Sequence, residues 1–167
     1  MLNYVREPAE RWNLFFGIKL SMRYHRARQA HYARWGRANA GANLIISSAA
    51  FLAVTQAMHP LVLPALMLLL TAWNAWALIV DPSRMYHLHA SLHDRFSRLS
   101  ERIEEPVVLT PEELGAIGSE RLAIERDEPP ALRDLQDICY RQTALAFGVE
   151  PAPELPLLRR LVAQYVS

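Results

Sequence analysis

The sequence predicts an all-α membrane protein: a long antiparallel transmembrane helical hairpin extended into the cytoplasm, followed by C-terminal cytoplasmic helices. Three observations predict it. From Ala38 to Val80 there are 43 residues without one Asp, Glu, Lys or Arg, while the rest of the chain is densely charged. A bilayer core takes about 20 apolar residues per helix, so this window holds two spans and a short turn. On both sides of the window apolar residues recur at spacings of three and four, the period of a helix face, and no stretch alternates as a strand would.

Taken in order, residues 1–37 read as an N-terminal basic helical region, cytoplasmic or interfacial. Residues 1–17 read as a short cap, with Pro8 suited to a first helical turn. Trp12, Leu14, Phe15, Phe16 and Ile18 fit either an interfacial helix against lipid headgroups or a core-packing segment. From about Phe16 or Ile18 the spacing predicts one helix to Met58, with Leu20, Tyr24, Ala27, His31, Trp35 and Ala38 on one face. Residues 38–80 form the two-span hairpin. His59-Pro60 and Pro64 mark a connection so short that its two helices must be antiparallel neighbours. Residues 81–105 continue the second span as an amphipathic helix with Leu88, Leu92, Phe96, Leu99 and Ile103 on its stripe. Pro82 at the join either kinks that helix or starts a new one. Each arm is then near 40 residues, roughly 60 Å at 1.5 Å per residue. Residues 106–167 form a C-terminal helical region. Thr110-Pro111-Glu112-Glu113 is a capping box with proline at the first helical position, Glu128-Pro129-Pro130 breaks the chain, and Gly148 stops the next helix. A last short helix carries Leu157, Leu158, Leu161, Val162 and Tyr165.

The net charge of +1 hides a polarity. Residues 11–37 carry seven basic groups and no acid, whereas 101–167 carry 13 acids against 7 arginines. Arg23, Arg26, Arg28, Arg34 and Arg37 lie before the first span, Arg84, Arg95 and Arg98 follow the second, and the turn has no basic residue. The positive-inside rule places both termini in the cytoplasm. The same arginines are candidates for anionic lipid. Arginines interleave with aromatics in MRYHRARQAHYARW, as in a nucleic-acid face, but beside an apolar span the lipid reading takes precedence. The single cysteine, Cys139, excludes an intrachain disulfide and fits a reducing compartment. The first residues lack the short apolar core of a cleavable signal peptide.

Polar residues inside the spans are the candidate site. Asn39, Asn43 and Ser47 form an i, i+4, i+8 row, Ser48, Thr55 and Gln56 lie further along, and Thr71 and Asn74 stand on the second span. In lipid such groups must meet other helices or water, so two arrangements are open: a pore lining in an oligomer, or helix–helix hydrogen bonding without a water path. His89 and His93, four apart on one helix face, have the spacing of a two-histidine metal site. His87 is off that face, and a structural role is the plainer reading, so no cofactor is expected. The sequence holds no glycine-rich phosphate loop, no HExxH, no GxSxG and no nucleophile beside a base, which points away from an enzyme.

Over roughly residues 15–150 the chain resembles the SLATT-domain family, two-span effectors of bacterial conflict systems. The resemblance rests on SMRYHRARQAHYARWGRANA leading into the first span, the tight hairpin, HLHASLHDRFSRLSERIE after the second span, and an E-x-x-E-P-P … L-x-x-x-C tail. That tail is met here by Glu125, Glu128, Pro129, Pro130, Leu135 and Cys139. The chain departs after the cysteine, where Tyr140-Arg141-Gln142 stands in place of Asn-Glu. The resemblance implies a homo-oligomeric effector in the bacterial inner membrane that forms a pore or disrupts the bilayer in anti-phage defence. It would be triggered by a sensor or signal-producing protein encoded nearby. The alternative function is a non-conducting membrane scaffold or sensor subunit that docks a cytosolic partner.

Overall fold

The computed structural model describes residues 3–48, 51, 53–54, 60–105, 108–151 and 153–165, with side chains from residue 9 onward. Among these residues every regular element is a helix. They are α1 (Asn3–Ile46), α2 (Val62–Val80), α3 (Pro82–Glu104), α4 (Pro111–Glu125), α5 (Arg133–Ala146) and α6 (Leu157–Val162). The chain divides into two compact units, one of residues 1–28 and 89–167, the other of residues 29–88.

Local chemistry explains most boundaries. α1 begins ahead of Pro8, so the cap expected at residues 1–17 is the opening of a 44-residue helix. It ends at Ile46 rather than running unbroken to Met58, and Phe51, Ala53 and Val54 are helical again. At the break Ser47 Oγ donates to Leu44 O and Ser48 Oγ accepts from Phe51 N. Serine side chains offer the backbone such local partners in competition with the helix ladder. Between α2 and α3, Pro82 starts a new helix. Asp81 adopts the left-handed conformation (φ 44°) and donates its N–H to Ala77 O. Its Oδ1 accepts from Arg84 N at 3.0 Å, which caps the helix that Pro82 opens. The capping box at α4 forms as its sequence dictates: Thr110 Oγ1 accepts from Glu113 N, and the Glu113 carboxylate accepts from Thr110 N. Those bonds hold the Glu113 carboxyl below its usual range. After α5, Gly148 takes a positive φ of 68°, the conformation that ends helices at glycine.

In the first unit α3 supplies the core. Leu92, Phe96, Leu99 and Ile103 are buried together with His89 and Ser100. Ile18 and Tyr24 of α1, Leu114, Ile117 and Ile124 of α4, and Leu135 and Cys139 of α5 are buried as well. Tyr24, Leu135, Cys139 and Ala163 form one cluster, flanked by Leu20, Ala27, Leu132 and Ile138. Trp12, Phe15 and Phe16 pack edge-on or tilted against Phe147 at 5.0–5.8 Å, with Trp12 itself still 41% exposed. Ion pairs ring this core: Lys19–Glu104, Arg95–Asp127, Arg102–Glu120 and Arg159–Asp134.

The second unit is built differently. Of the 19 residues of α2 only Ala77 is buried. Leu68, Leu69, Leu78 and Ile79 are exposed, as are Leu44, Ile45 and Val54. The helical run Val62–Glu104 is, by length and composition, able to cross a membrane, and 6% of its most apolar stretch is buried.

Phe96→Ala is expected to cost about 3–5 kcal/mol, as truncation of a fully buried aromatic does, and Thr110→Ala about 1 kcal/mol through the lost cap. Thermal melts of the purified chain followed by circular dichroism should rank the two in that order. Equal losses would contradict the central place of Phe96.

Candidate functional site

Within the second unit, three of the polar residues singled out in the sequence come together. Asn43 and Asn74 exchange side-chain hydrogen bonds in both directions, each Nδ2 donating to the other's Oδ1 at 3.1 Å. Asn43 Nδ2 also donates to Asn39 O at 2.9 Å, and Asn74 Nδ2 to Leu70 O at 3.0 Å. Asn39 Oδ1 accepts from Trp73 Nε1 at 2.7 Å. Trp73 stacks obliquely on Trp35, ring centroids 6.2 Å apart, and Trp35 lies parallel to Tyr32. The result is a short ladder of amides and indoles between α1 and α2.

The other candidates do not join it. Ser47 is exposed and bonded to its own helix, and Thr71 is exposed with Oγ1 donating to Met67 O. Ser48 serves the break after α1. Thr55 and Gln56 lie outside the described residues, as does His59.

In the first unit a second polar group sits deeper. His25 and His89 are 0% and 1% exposed, and their Nδ1 atoms are 2.9 Å apart. His25 Nε2 lies 3.1 Å from Glu128 Oε1. The His25 ring stacks on Phe96 at 5.6 Å and 15°, and Tyr24 packs edge-on against both imidazoles. Tyr24 Oη accepts from Leu132 N, which fixes the α4–α5 connection carrying Glu128. Two Nδ1 atoms at 2.9 Å share one proton, so one imidazole donates and the other accepts. With Glu128 as a carboxylate, His25 Nε2–H donates to it, and in the neutral pair His89 Nδ1–H donates to His25. Burial first, then the neighbouring His25 and Arg28, lowers the His89 pKa to about 4.

The metal reading of His89 and His93 finds a different geometry. His89 faces the core and His25, whereas His93 Nδ1 lies 3.5 Å from Ser97 Oγ and 3.6 Å from Asp94 Oδ1. Among the described residues no group of three His, Cys, Asp or Glu is arranged to hold a metal ion. His25 carries no motif that marks it in the sequence. Its signal was the seven-residue spacing Ile18–His25–Tyr32, which puts it on the buried side of α1 alongside the Tyr24–His31 row.

Of Arg23, Arg26, Arg28, Arg34 and Arg37, Arg26, Arg34 and Arg37 are exposed and Arg23 is half-buried. Arg28 is buried, and its guanidinium donates to Gln164 O at 2.8 Å. It is held in the first unit's core rather than presented to headgroups. Cys139 is buried, and desolvation pushes its pKa up to about 11. It is therefore a packed thiol, not a thiolate.

Two predictions follow from these geometries. His89 stays neutral in the folded chain down to about pH 4, whereas the same imidazole in the unfolded chain takes a proton near 6.5. Between those values the unfolded state binds more protons, so stability is full above about pH 6.5 and falls by roughly 3 kcal/mol as pH drops to about 4. His89→Phe should flatten that acid limb in pH-dependent melts, and an unchanged limb would exclude His89 as its source. For the amide pair, Asn43→Leu and Asn74→Leu should each destabilise, and the double variant should cost less than the two together. A coupling of about 0.5–2 kcal/mol is expected, and strict additivity in denaturation of the detergent-solubilised chain would refute the pair.

Comparisons with protein-family models, with curated proteins and with solved structures return no match to this chain.

Proposed function

We propose that the chain is a membrane-embedded effector. Residues 38–80 cross the bilayer as a two-helix hairpin, the first unit stands in the cytoplasm, and several copies assemble to open a water path through the membrane. The observation that carries the membrane reading is the surface of α2, where 18 of 19 residues are unburied and none is charged. A helix apolar all round needs either a large protein core or lipid around it, and α2 has little protein around it. Within the first unit α1 meets α3 in reverse chain order, from Arg11 on Ile103 to His25 on His89, as the two arms of one hairpin would. Two helices cannot enclose a water path, so conduction requires an oligomer. The resemblance to SLATT proteins extends the reading to anti-phage defence in a bacterial inner membrane, on a signal from a partner encoded nearby. In this reading Arg26, Arg34 and Arg37 sit on the positive, cytoplasmic side.

One observation favours a second reading. Asn43 and Asn74 satisfy each other within one chain, which suits a non-conducting anchor whose cytoplasmic helices dock a partner. Two measurements decide. The chain should remain with membranes through salt and carbonate washes; release into the supernatant would end the membrane reading itself. Reconstituted in planar bilayers, it should conduct, and Asn43→Leu should alter that conductance. Stable insertion without conductance would leave the anchor.

A further inference from the structure

We propose that the first unit holds a binding site for a phosphate group, in a cleft where Lys19, Arg23 and Arg26 of α1 converge with His93 of α3 and Gln142 and Phe147 of α5. The cleft has a volume of about 540 Å³, within the range of small-ligand sites. Its three cationic side chains stand at i, i+4 and i+7 on one face of α1. Like charges at that spacing repel and destabilise a helix slightly unless an anion lies between them.

The charges are incompletely compensated within the chain. Glu104 pairs with Lys19, and Asp94 lies 3.6 Å from His93. Among the described residues neither Arg23 nor Arg26 pairs with a carboxylate, although acids are abundant elsewhere in this unit and neutralise Arg95, Arg102, Arg121 and Arg159. Two guanidiniums beside an ammonium match a ligand of about two negative charges with several acceptor oxygens. That favours a phosphate ester or diphosphate over a carboxylate, which carries one charge. Guanidinium forks bind phosphate oxygens in pairs, and the Gln142 amide adds neutral donors at the wall.

Such a phosphate has two sources, a soluble organic phosphate or a lipid headgroup. The proposal goes beyond the effector reading and does not need the hairpin to conduct. The test is calorimetric titration of the full chain, in phosphatidylcholine nanodiscs, with inorganic pyrophosphate. Saturable binding is expected, weakened about tenfold or more by Arg23→Gln and by Arg26→Gln, and unchanged by Arg34→Gln with Arg37→Gln. Arg26 is exposed, so its variant keeps the test open if Arg23→Gln melts early. Nanodiscs containing phosphatidic acid separate the sources: loss of pyrophosphate binding there shows that a headgroup reaches the cleft, and retention shows that the ligand is soluble. No saturable binding in phosphatidylcholine, or binding indifferent to both substitutions, overturns the proposal.

Discussion

The first unit depends on the packing of α1 against α3, and that packing is centred on a polar pair rather than an apolar one. His25 and His89 meet at 2.9 Å, with Phe96 stacked on His25. Above and below, Ile18, Leu92, Leu99 and Ile103 supply the apolar burial, which is the larger stabilising contribution. The remaining helices attach to this seam through buried apolar residues, Leu114, Ile117, Ile124, Leu135 and Cys139, and through specific polar bonds. Tyr24 holds the α4–α5 connection at Leu132, Glu128 reaches His25, and Arg28 holds the chain after α6 at Gln164.

The second unit obeys the opposite constraint. Along α2 most apolar side chains face outward, while Asn74 bonds to Asn43 and Thr71 back onto its own helix. In a low-dielectric surrounding each unpaired amide or hydroxyl is costly. The reciprocal Asn43–Asn74 exchange, the Trp73–Asn39 bond and the Thr71 back-bond to Met67 each remove one such cost. An outward apolar surface with its polar groups satisfied locally is what hydrocarbon demands, and it is poorly suited to exposure in water.

Much of this was legible in the sequence because the signals are local. The α4 box needs only Thr110, Pro111 and Glu113, the α5 stop only Gly148, and the helical class only the apolar spacing. The row Asn39–Asn43 can be read along one helix, and Thr71 and Asn74 can be placed on the other. What could not be read is what depends on pairing between distant segments. The sequence around His89 offers only His93 four residues on, whereas the partner it meets, His25, lies 64 positions earlier. Arg28 was grouped with four other arginines by proximity to a span, yet its environment is set by Gln164, 136 positions later. Charge bias along a chain does not say which member of a basic cluster a fold will bury. The break at Ser47–Ser48 is not legible in the sequence because serine is tolerated in helices, and only its actual bonds show it competing with the ladder.

The cost of burying two imidazoles has a return in register. A leucine pair at positions 25 and 89 would bury more apolar surface, but it would accept α1 shifted along α3 by a heptad. With the histidines in place such a shift puts Ile18 or Tyr32 opposite His89. The Ile18 arrangement leaves His89 Nδ1 without its partner in the core, and both remove His25 from Glu128. A buried polar group so stranded costs on the order of 1–3 kcal/mol, enough to disfavour the slipped state by about fivefold to a hundredfold. The His25–Glu128 contact ties the same register to the α4–α5 connection, so the polar pair fixes which turn of α1 faces which turn of α3 where apolar packing alone would leave the choice weakly determined.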